Sequence, residues 1–391
     1  MTTESWDLVI VGAGPAGSSA ALSALREDPT LRVLLLDRSD FPRDKSCGDG
    51  IAPHCFAALA SIGVTDVEEG WTPLTRLELA RGEQSVERPM ARPVYVIPRE
   101  VFDARLVDRA VTRGAVLRRE RIVSIETVPH GIILNGTISA PVVVGADGAH
   151  SVARAHLGLP SGRRALAIRG YAPTPPGRRG TQVIRYGDRR QPAYAWAFDR
   201  GDGLSNVGYG ELLPPAGEAP PSRALLLDQL EVLLPGSVAD GIQWRGHHLP
   251  LSGWRWHQPD GRLLLTGDAA GLINPMTGEG IYYAIATGIA AGRTAVRTRR
   301  DPGSAGAEHR RAVRGLLGTH LKHTWVASRL ADHPVIVDGG IRLARRDRRV
   351  FDEMVELGLG DGRISGRLAL GLATGLGRKA VTQIRDKAGR S

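Results

Sequence analysis

Cysteine is scarce in this chain of 391 residues, and Cys47 and Cys55 are the only two. At most they form one disulfide, which a chain of this size does not need, so reduced thiols are expected. No Cys/His grouping has metal-ligand spacing, and His247-His248 reads as part of a strand edge, so no metal is expected. Aromatic residues make up only 5% of the chain and no recognition motif accompanies them, which argues against a nucleic-acid partner. There is no run of about 18 apolar residues that would cross a membrane. A signal peptide is also missing, because Trp6 to Val11 reads as a strand leading straight into a glycine loop. A cytoplasmic protein is expected.

What is present points to a ligand-binding core. Hydrophobic residues are 42% of the chain, enough for one large domain or two interleaved ones. Its 49 glycines exceed the ordinary share of about 7%, and many sit beside small residues where backbone must approach a ligand. The net charge is +10, and residues 293–350 hold fourteen Lys/Arg against five Asp/Glu. A solvated basic surface accounts for this. The competing reading is an anionic partner, such as a phosphorylated substrate or a membrane touched from its surface.

The pattern along the chain is a strand over Asp7 to Val11, a glycine loop, a small-residue helix to Arg26, and a second strand from Leu31 to Leu36. A helix from Pro53 to Ile62, strands within Leu74 to Val96, and a helix from Arg99 to Arg113 follow. Val116 to Leu134 reads as a small meander and Val142 to Asp147 as a buried strand. Residues 165–254 alternate in the manner of an antiparallel sheet. Arg262 to Thr266 returns as a buried strand before a long helix from Gly280 to Arg297, and the remaining ninety or so residues read as basic helices.

Three segments carry the chemistry. In Gly12-x-Gly14-Pro15-Ala16-Gly17 the glycines permit a tight turn, close approach to a pyrophosphate and close helix packing, and the helix start offers N–H groups. Asp37, with Arg38 beside it, lies 20 residues past Gly17 at a strand end, where a carboxylate binds ribose hydroxyls and disfavours a ribose phosphate. The nucleotide is therefore FAD or NAD. Asp147-Gly148 and Gly267-Asp268 end two further strands, and the latter runs on through Asn274-Pro275 to Gly278-Glu279-Gly280 and a helix. Three such elements in this order favour FAD.

From Trp6 to about Arg297 these segments resemble the para-hydroxybenzoate-hydroxylase-like flavoproteins. The resemblance implies an α/β chain with a Rossmann-type FAD-binding domain, an inserted antiparallel β-sheet substrate domain and a helical C-terminal region. The expected division is 1–73 with 97–160 and 255–300 for FAD, 74–96 with 161–254 for substrate, and 301–391 helical. It also implies Asp268 near the ribityl and pyrophosphate, the 278–280 backbone beside the flavin, and Arg99 reaching the cofactor. Within that group, Lys45-Ser46-Cys47-Gly48-Asp49-Gly50 is similar to the signature of the geranylgeranyl reductase family, which includes archaeal lipid and menaquinone side-chain reductases. Tyr194, Trp196 and Phe198 resemble that family's cavity motif, and Asn274 to Tyr283 its flavin loop. Asp199 departs from the proline usual there, which puts the cavity wall in question.

The resemblance implies a reductase that transfers hydride from FAD to C=C bonds of a hydrophobic, isoprenoid or prenylated small molecule, with Cys47 beside the flavin as proton source or packing residue. The competing reading is a flavin monooxygenase that hydroxylates or epoxidises a natural product on the same fold. A flavin halogenase is disfavoured because Tyr194-Ala-Trp196-Ala-Phe198-Asp199 lacks the Trp-x-Trp-x-Ile-Pro pattern. Only one dinucleotide fingerprint is present. Electrons are then expected from transiently bound NAD(P)H or from an electron-donor protein.

Overall fold

The computed structural model describes residues 3–160, 162–215 and 217–369. The chain begins with β1 (Glu4–Ser5), β2 (Leu8–Val11), α1 (Pro15–Glu27) and β3 (Val33–Asp37). Then come β4 (Gly50–Ile51), α2 (Pro53–Ala60), β5 (Pro73–Arg81), β6 (Gln84–Val96), α3 (Arg99–Thr112) and β7 (Val116–Arg119). Next are β8 (Ile125–Val128), β9 (Gly131–Leu134), β10 (Ile138–Ala140), β11 (Val143–Gly145) and α4 (Val152–His156). The middle of the chain supplies β12 (Arg164–Pro173), β13 (Thr181–Tyr186), β14 (Tyr194–Asp199), β15 (Leu204–Leu212), α5 (Arg223–Leu233) and β16 (Ile242–Pro250). The chain then returns through β17 (Leu263–Leu265) to α6 (Ile281–Arg297), α7 (Ala305–Leu330), α8 (Pro334–Arg346) and α9 (Arg348–Leu359).

Five strands form a parallel sheet in the order β17-β11-β2-β3-β7. Leu8 to Val11 and Val33 to Leu36 are buried without alternation, as expected of strands covered on both faces. Each such aliphatic side chain contributes about 1.5–3 kcal/mol by leaving water, so a charge at Ile10 or Leu35 would break this layer. The expected meander is corrected in part. Its first strand, β7, pairs in parallel with β3 and closes the edge of this sheet, while β8 and β9 join β10 and β1 in a small separate sheet. Local alternation fixes that a strand forms, but not which distant edge it completes.

Helix α1 starts on Pro15, which carries no N–H to leave unpaired, and is buried along most of its length. Helix α6 crosses it at backbone contact. A Cβ on Gly288 would stand 2.1 Å from the Ala16 carbonyl oxygen, and one on Gly292 would stand 2.2 Å from that of Ala20. This crossing brings the first turn of α6 to the start of α1, where a Cβ on Gly267 would meet both Ala284 and Ala16.

The third sheet has eight strands in the order β16-β12-β15-β14-β13-β5-β6-β4 and is antiparallel except where β13 runs parallel to β5. Sequence reasoning missed α5, which covers one face through Leu226 and Leu230. On another part of the sheet, Leu77, Leu79, Val86 and Val94 pack against Ile341, Ala344 and Phe351 of α8 and α9. The C-terminal helices are therefore a wall of the molecule rather than an appendage. Of the region expected to be helical, residues 370–391 lie outside the described residues.

Candidate cofactor and substrate site

One cavity of about 900 Å³ runs from the glycine loop, past the 45–50 segment, into the space between the large sheet and the C-terminal helices. That is the upper end of the size range of small-molecule sites.

At the nucleotide end, Gly12 has φ +102°, and a Cβ there would fall 2.3 Å from the Ala146 carbonyl oxygen, so only glycine fits. Gly14 caps α1 without a side-chain hydrogen bond, which leaves the first N–H groups of the helix free for an anion. The Asp37 carboxylate accepts the Ala13 N–H and the Ser39 N–H, each at 3.0 Å, so it fixes the loop to the end of β3. Gly12, Gly14, Pro15, Ala16, Asp37, Arg38, Asp147 and Gly148 all line the cavity. This cradle of bare backbone N–H groups with an acid at the neighbouring strand end fits a dinucleotide pyrophosphate and ribose.

Further along, Lys45 reaches Asp268 with Nζ to Oδ2 at 3.0 Å. Burial pushes the Asp268 carboxyl up, but the Lys45 ammonium more than offsets this, and the group stays ionised below the usual carboxylate range. Arg99 is buried, and Asp103 grips it at 2.6 and 2.8 Å. Burial favours loss of the Arg99 proton, whereas the Asp103 carboxylate holds it more strongly, so the guanidinium stays charged. Arg43 bridges two acids, 3.2 Å from Asp103 and 3.5 Å from Asp37. Cys47 faces the cavity, and burial raises its thiol so that it is protonated at neutral pH. Glu279, between Gly278 and Gly280 on the cavity wall, is pushed up to about 7 by burial, and its Oε1 accepts the Tyr282 N–H.

Three residues expected to touch the cofactor do not line the cavity. Gly17 packs inward, because a Cβ there would fall 1.7 Å from the Gly12 carbonyl oxygen. Gly267 has φ +53° and donates its N–H to Thr287 Oγ1, so it seats the loop on α6. Asp49 is buried under the sheet, where its Oδ2 accepts from Tyr171 Oη at 2.5 Å and Asn206 Nδ2 at 2.8 Å. Asp147 does line the cavity, yet its carboxylate accepts from Ser151 Oγ and from the Val152 and Ala153 N–H groups, capping α4. Asp199 points away from the cavity and closes a turn by accepting from Thr174 Oγ1 and from the Gly180 and Gly201 N–H groups. Asp199 is therefore not part of the cavity wall.

The other end of the cavity is apolar. Tyr194, Trp196 and Phe198 alternate along β14 and all face it, the period-2 outcome expected of a strand. The Trp196 indole donates to Asn206 Oδ1 at 2.8 Å, and Asn206 Nδ2 donates to the Cys47 carbonyl at 2.9 Å. Tyr194 donates to the Thr277 carbonyl, joining the large sheet to the 274–280 loop. Sequence reasoning missed Gln182, whose buried Oε1 has no partner among the described residues. It also missed Leu77, Leu79, Ile184 and, from the C-terminal helices, Val337, Ile341 and Leu359. Their amphipathic spacing signals helices and strands without showing what those apolar faces enclose.

The cradle, the paired acids around it and the attached apolar lobe define a FAD-dependent oxidoreductase. Residues 5–174 match the model of a FAD binding domain. The chain is 30% identical to a menaquinone reductase of Mycolicibacterium smegmatis over 72% of this chain and 74% of that protein. It is also 30% identical to digeranylgeranylglycerophospholipid reductase 1 of Methanopyrus kandleri, over 74% of this chain and 80% of that one. A solved geranylgeranyl bacteriochlorophyll reductase-like structure from Thermoplasma acidophilum superposes with a TM-score of 0.77 at 19% identity, covering 98% and 99% of the two chains. The chain belongs to the geranylgeranyl reductase family of FAD-dependent oxidoreductases.

Proposed function

We propose that this protein saturates isolated C=C bonds in a long, apolar isoprenoid or prenylated molecule. The observation that carries this reading is the continuity of the cavity. The cofactor cradle opens past Cys47 into an apolar lobe walled by Leu77, Leu79, Ile184, Ile341 and Leu359, with no charged side chain among those five. Such a lobe takes up a flexible hydrocarbon chain and aligns one double bond at a time with the reactive end. The relatives named as reductases of menaquinone and of digeranylgeranylglycerophospholipid support the same substrate class.

Reduced FAD, when bound, would supply the hydride. The residues of the chain do the rest. Gly12, Gly14 and the start of α1 hold the pyrophosphate, and Asp37 holds the ribose. Asp268, paired with Lys45, holds the ribityl and pyrophosphate, and the 278–280 backbone lies beside the flavin. Tyr194, Trp196 and Phe198 position the alkene, and the neutral thiol of Cys47 delivers the proton to the second carbon of the bond. Electrons arrive from NAD(P)H or an electron-donor protein docking transiently. The reading places the protein in the cytoplasm, where its two free thiols stay reduced.

Incubation of the reduced protein with a polyprenyl alcohol or quinone, followed by mass spectrometry, tests the reading. A gain of hydrogen in pairs supports it, whereas a gain of oxygen replaces it with monooxygenase chemistry.

A further inference from the structure

The apolar lobe reaches the surface. At the corner between α7 and α8 the cavity is lined by Ala327, Leu330, Ala331, Ile336 and Val337. Leu330 is at the same time 38% exposed, so this corner is a mouth. Among the described residues no helix is long and apolar enough to cross a membrane.

The surface beside this mouth combines aromatic rings with unpaired cations. Trp254 is 42% exposed and stands edge-on against Trp325, with ring centroids 5.3 Å apart. Lys322, Trp325 and Arg329 recur at three- and four-residue spacing and share one side of α7. Lys322 Nζ lies 5.9 Å from the Trp254 ring, and the Arg329 guanidinium carbon 5.3 Å from the Trp325 ring. Arg255 follows Trp254 and is exposed. The arginines of this region that form ion pairs are Arg310, Arg311, Arg348 and Arg367, which leaves Lys322, Arg329 and Arg255 without acidic partners among the described residues. Asp332 is the nearby acid in sequence, and it is exposed.

Tryptophan has an apolar body and a polar N–H, and it favours the boundary between hydrocarbon and headgroups. Lysine and arginine near an anionic lipid surface are attracted to it independently of any specific pocket. A nucleic-acid or acidic-protein partner would use the cations, but would gain nothing from an apolar cavity opening beside them. A long isoprenoid, by contrast, is dissolved in a bilayer and must leave it to reach the flavin.

We propose that the α7–α8 corner is a docking face for an anionic lipid bilayer. Trp254 and Trp325 sit in the interfacial layer, Lys322, Arg329 and Arg255 lie over the headgroups, and the mouth at Leu330 opens onto hydrocarbon. The orientation of the mouth rests on the isoprenoid reading given above, whereas the charge and tryptophan pattern does not.

The test uses the full-length, FAD-loaded protein and substrate-free vesicles of phosphatidylcholine, with or without phosphatidylglycerol. Binding by co-sedimentation should require phosphatidylglycerol, weaken with added salt, and shift tryptophan emission to the blue. Lys322→Ala with Arg329→Ala should weaken it about 30-fold, on about a tenfold-per-1.4 kcal/mol scale with each surface cation contributing about 1 kcal/mol. Trp254→Ser should abolish most of the emission shift. Turnover of a short, water-soluble prenyl alkene should match the parent in both variants. Absence of vesicle binding, or equal binding by parent and double variant, overturns the docking face, and intact turnover of the short alkene then leaves the reductase reading standing. Vesicle binding without turnover of any prenyl compound supports the face and removes the reductase reading. A dimer that Trp254→Ser dissociates, without vesicle binding, assigns the face to a second copy and overturns the proposal.

Discussion

Asp49 lies in the most family-specific segment of the chain, yet the structure gives it no contact with the cavity, and this can be tested through stability. Its carboxyl has no exposed surface, its Oδ2 takes the Tyr171 hydroxyl and the Asn206 amide, and its Oδ1 has no partner. Burial pushes the acid up to about 6 from an ordinary 3.8, although the Tyr171 and Asn206 bonds and Arg169 pull the other way. Between those two pH values the folded protein holds a proton that the unfolded chain has released. Stability from the neutral acid is therefore fully present below the lower value and lost as pH rises through the higher one. At about 1.4 kcal/mol per pH unit, the difference amounts to about 3 kcal/mol by neutrality. In Asp49→Asn the amide oxygen can keep both bonds, no charge is buried, and Asn tolerates the φ of +58° that this position requires. The new NH2 falls where one oxygen already lacked a partner. The variant should be more stable than the parent by about 1–3 kcal/mol near pH 7.5, or a rise of about 1–4 °C in unfolding midpoint, and equal to it near pH 4. Differential scanning fluorimetry across that range reads the gap directly. A variant less stable than the parent at neutral pH, or a gap independent of pH, would refute the reasoning and mean that Asp49 works as an anion.

Gly288→Ala sets two effects against each other. Helix propensity favours alanine by about 1 kcal/mol. The Ala16 carbonyl cannot rotate away from a Cβ 2.1 Å distant, so overpacking of about 1–3 kcal/mol or more should win and FAD affinity should fall with the midpoint; a stabilised variant would show that α1 and α6 can slide apart freely. Asp268→Ala removes the partner of Lys45 and should be purified with little or no FAD, as the flavin absorbance would show; full occupancy removes Asp268 from the site. Cys47→Ala should retain FAD and lose about 10²- to 10⁴-fold in kcat, the range for a removed general acid, and unchanged turnover would reduce the thiol to packing. Glu279→Gln keeps the bond to the Tyr282 N–H, so any inflection near pH 7 in kcat/KM should vanish in that variant; if it persists, another group titrates there.

The parts of this molecule set by neighbours in sequence were legible before the fold. Leu8 to Val11, the glycine loop and Asp37 form one continuous local device, and Gly12 and Gly17 are each explained by an atom that a Cβ there would strike. Tyr194, Trp196 and Phe198 were placed on one face by strand alternation alone. What the sequence left dark depends on distant partners. That β7 joins the parallel sheet is decided by an open edge on β3, and that α8 and α9 wall the cavity by the apolar face of β5 and β6. The direction of Asp49 turns on a left-handed backbone that no motif announces, and the use of Asp147 as a helix cap depends on how α4 starts. Gln182 could have been found as a lone amide in an alternating strand, but only the folded sheet shows that it has no partner.

The most direct test of the reductase reading is an anaerobic stopped-flow experiment in which the chemically reduced protein is mixed with a polyprenyl alkene. The account predicts that the oxidised flavin absorbance returns without oxygen, at a rate that depends on alkene concentration, with saturated product. Reoxidation only after oxygen is admitted, through a transient near-ultraviolet band and with an oxygenated product, would contradict it.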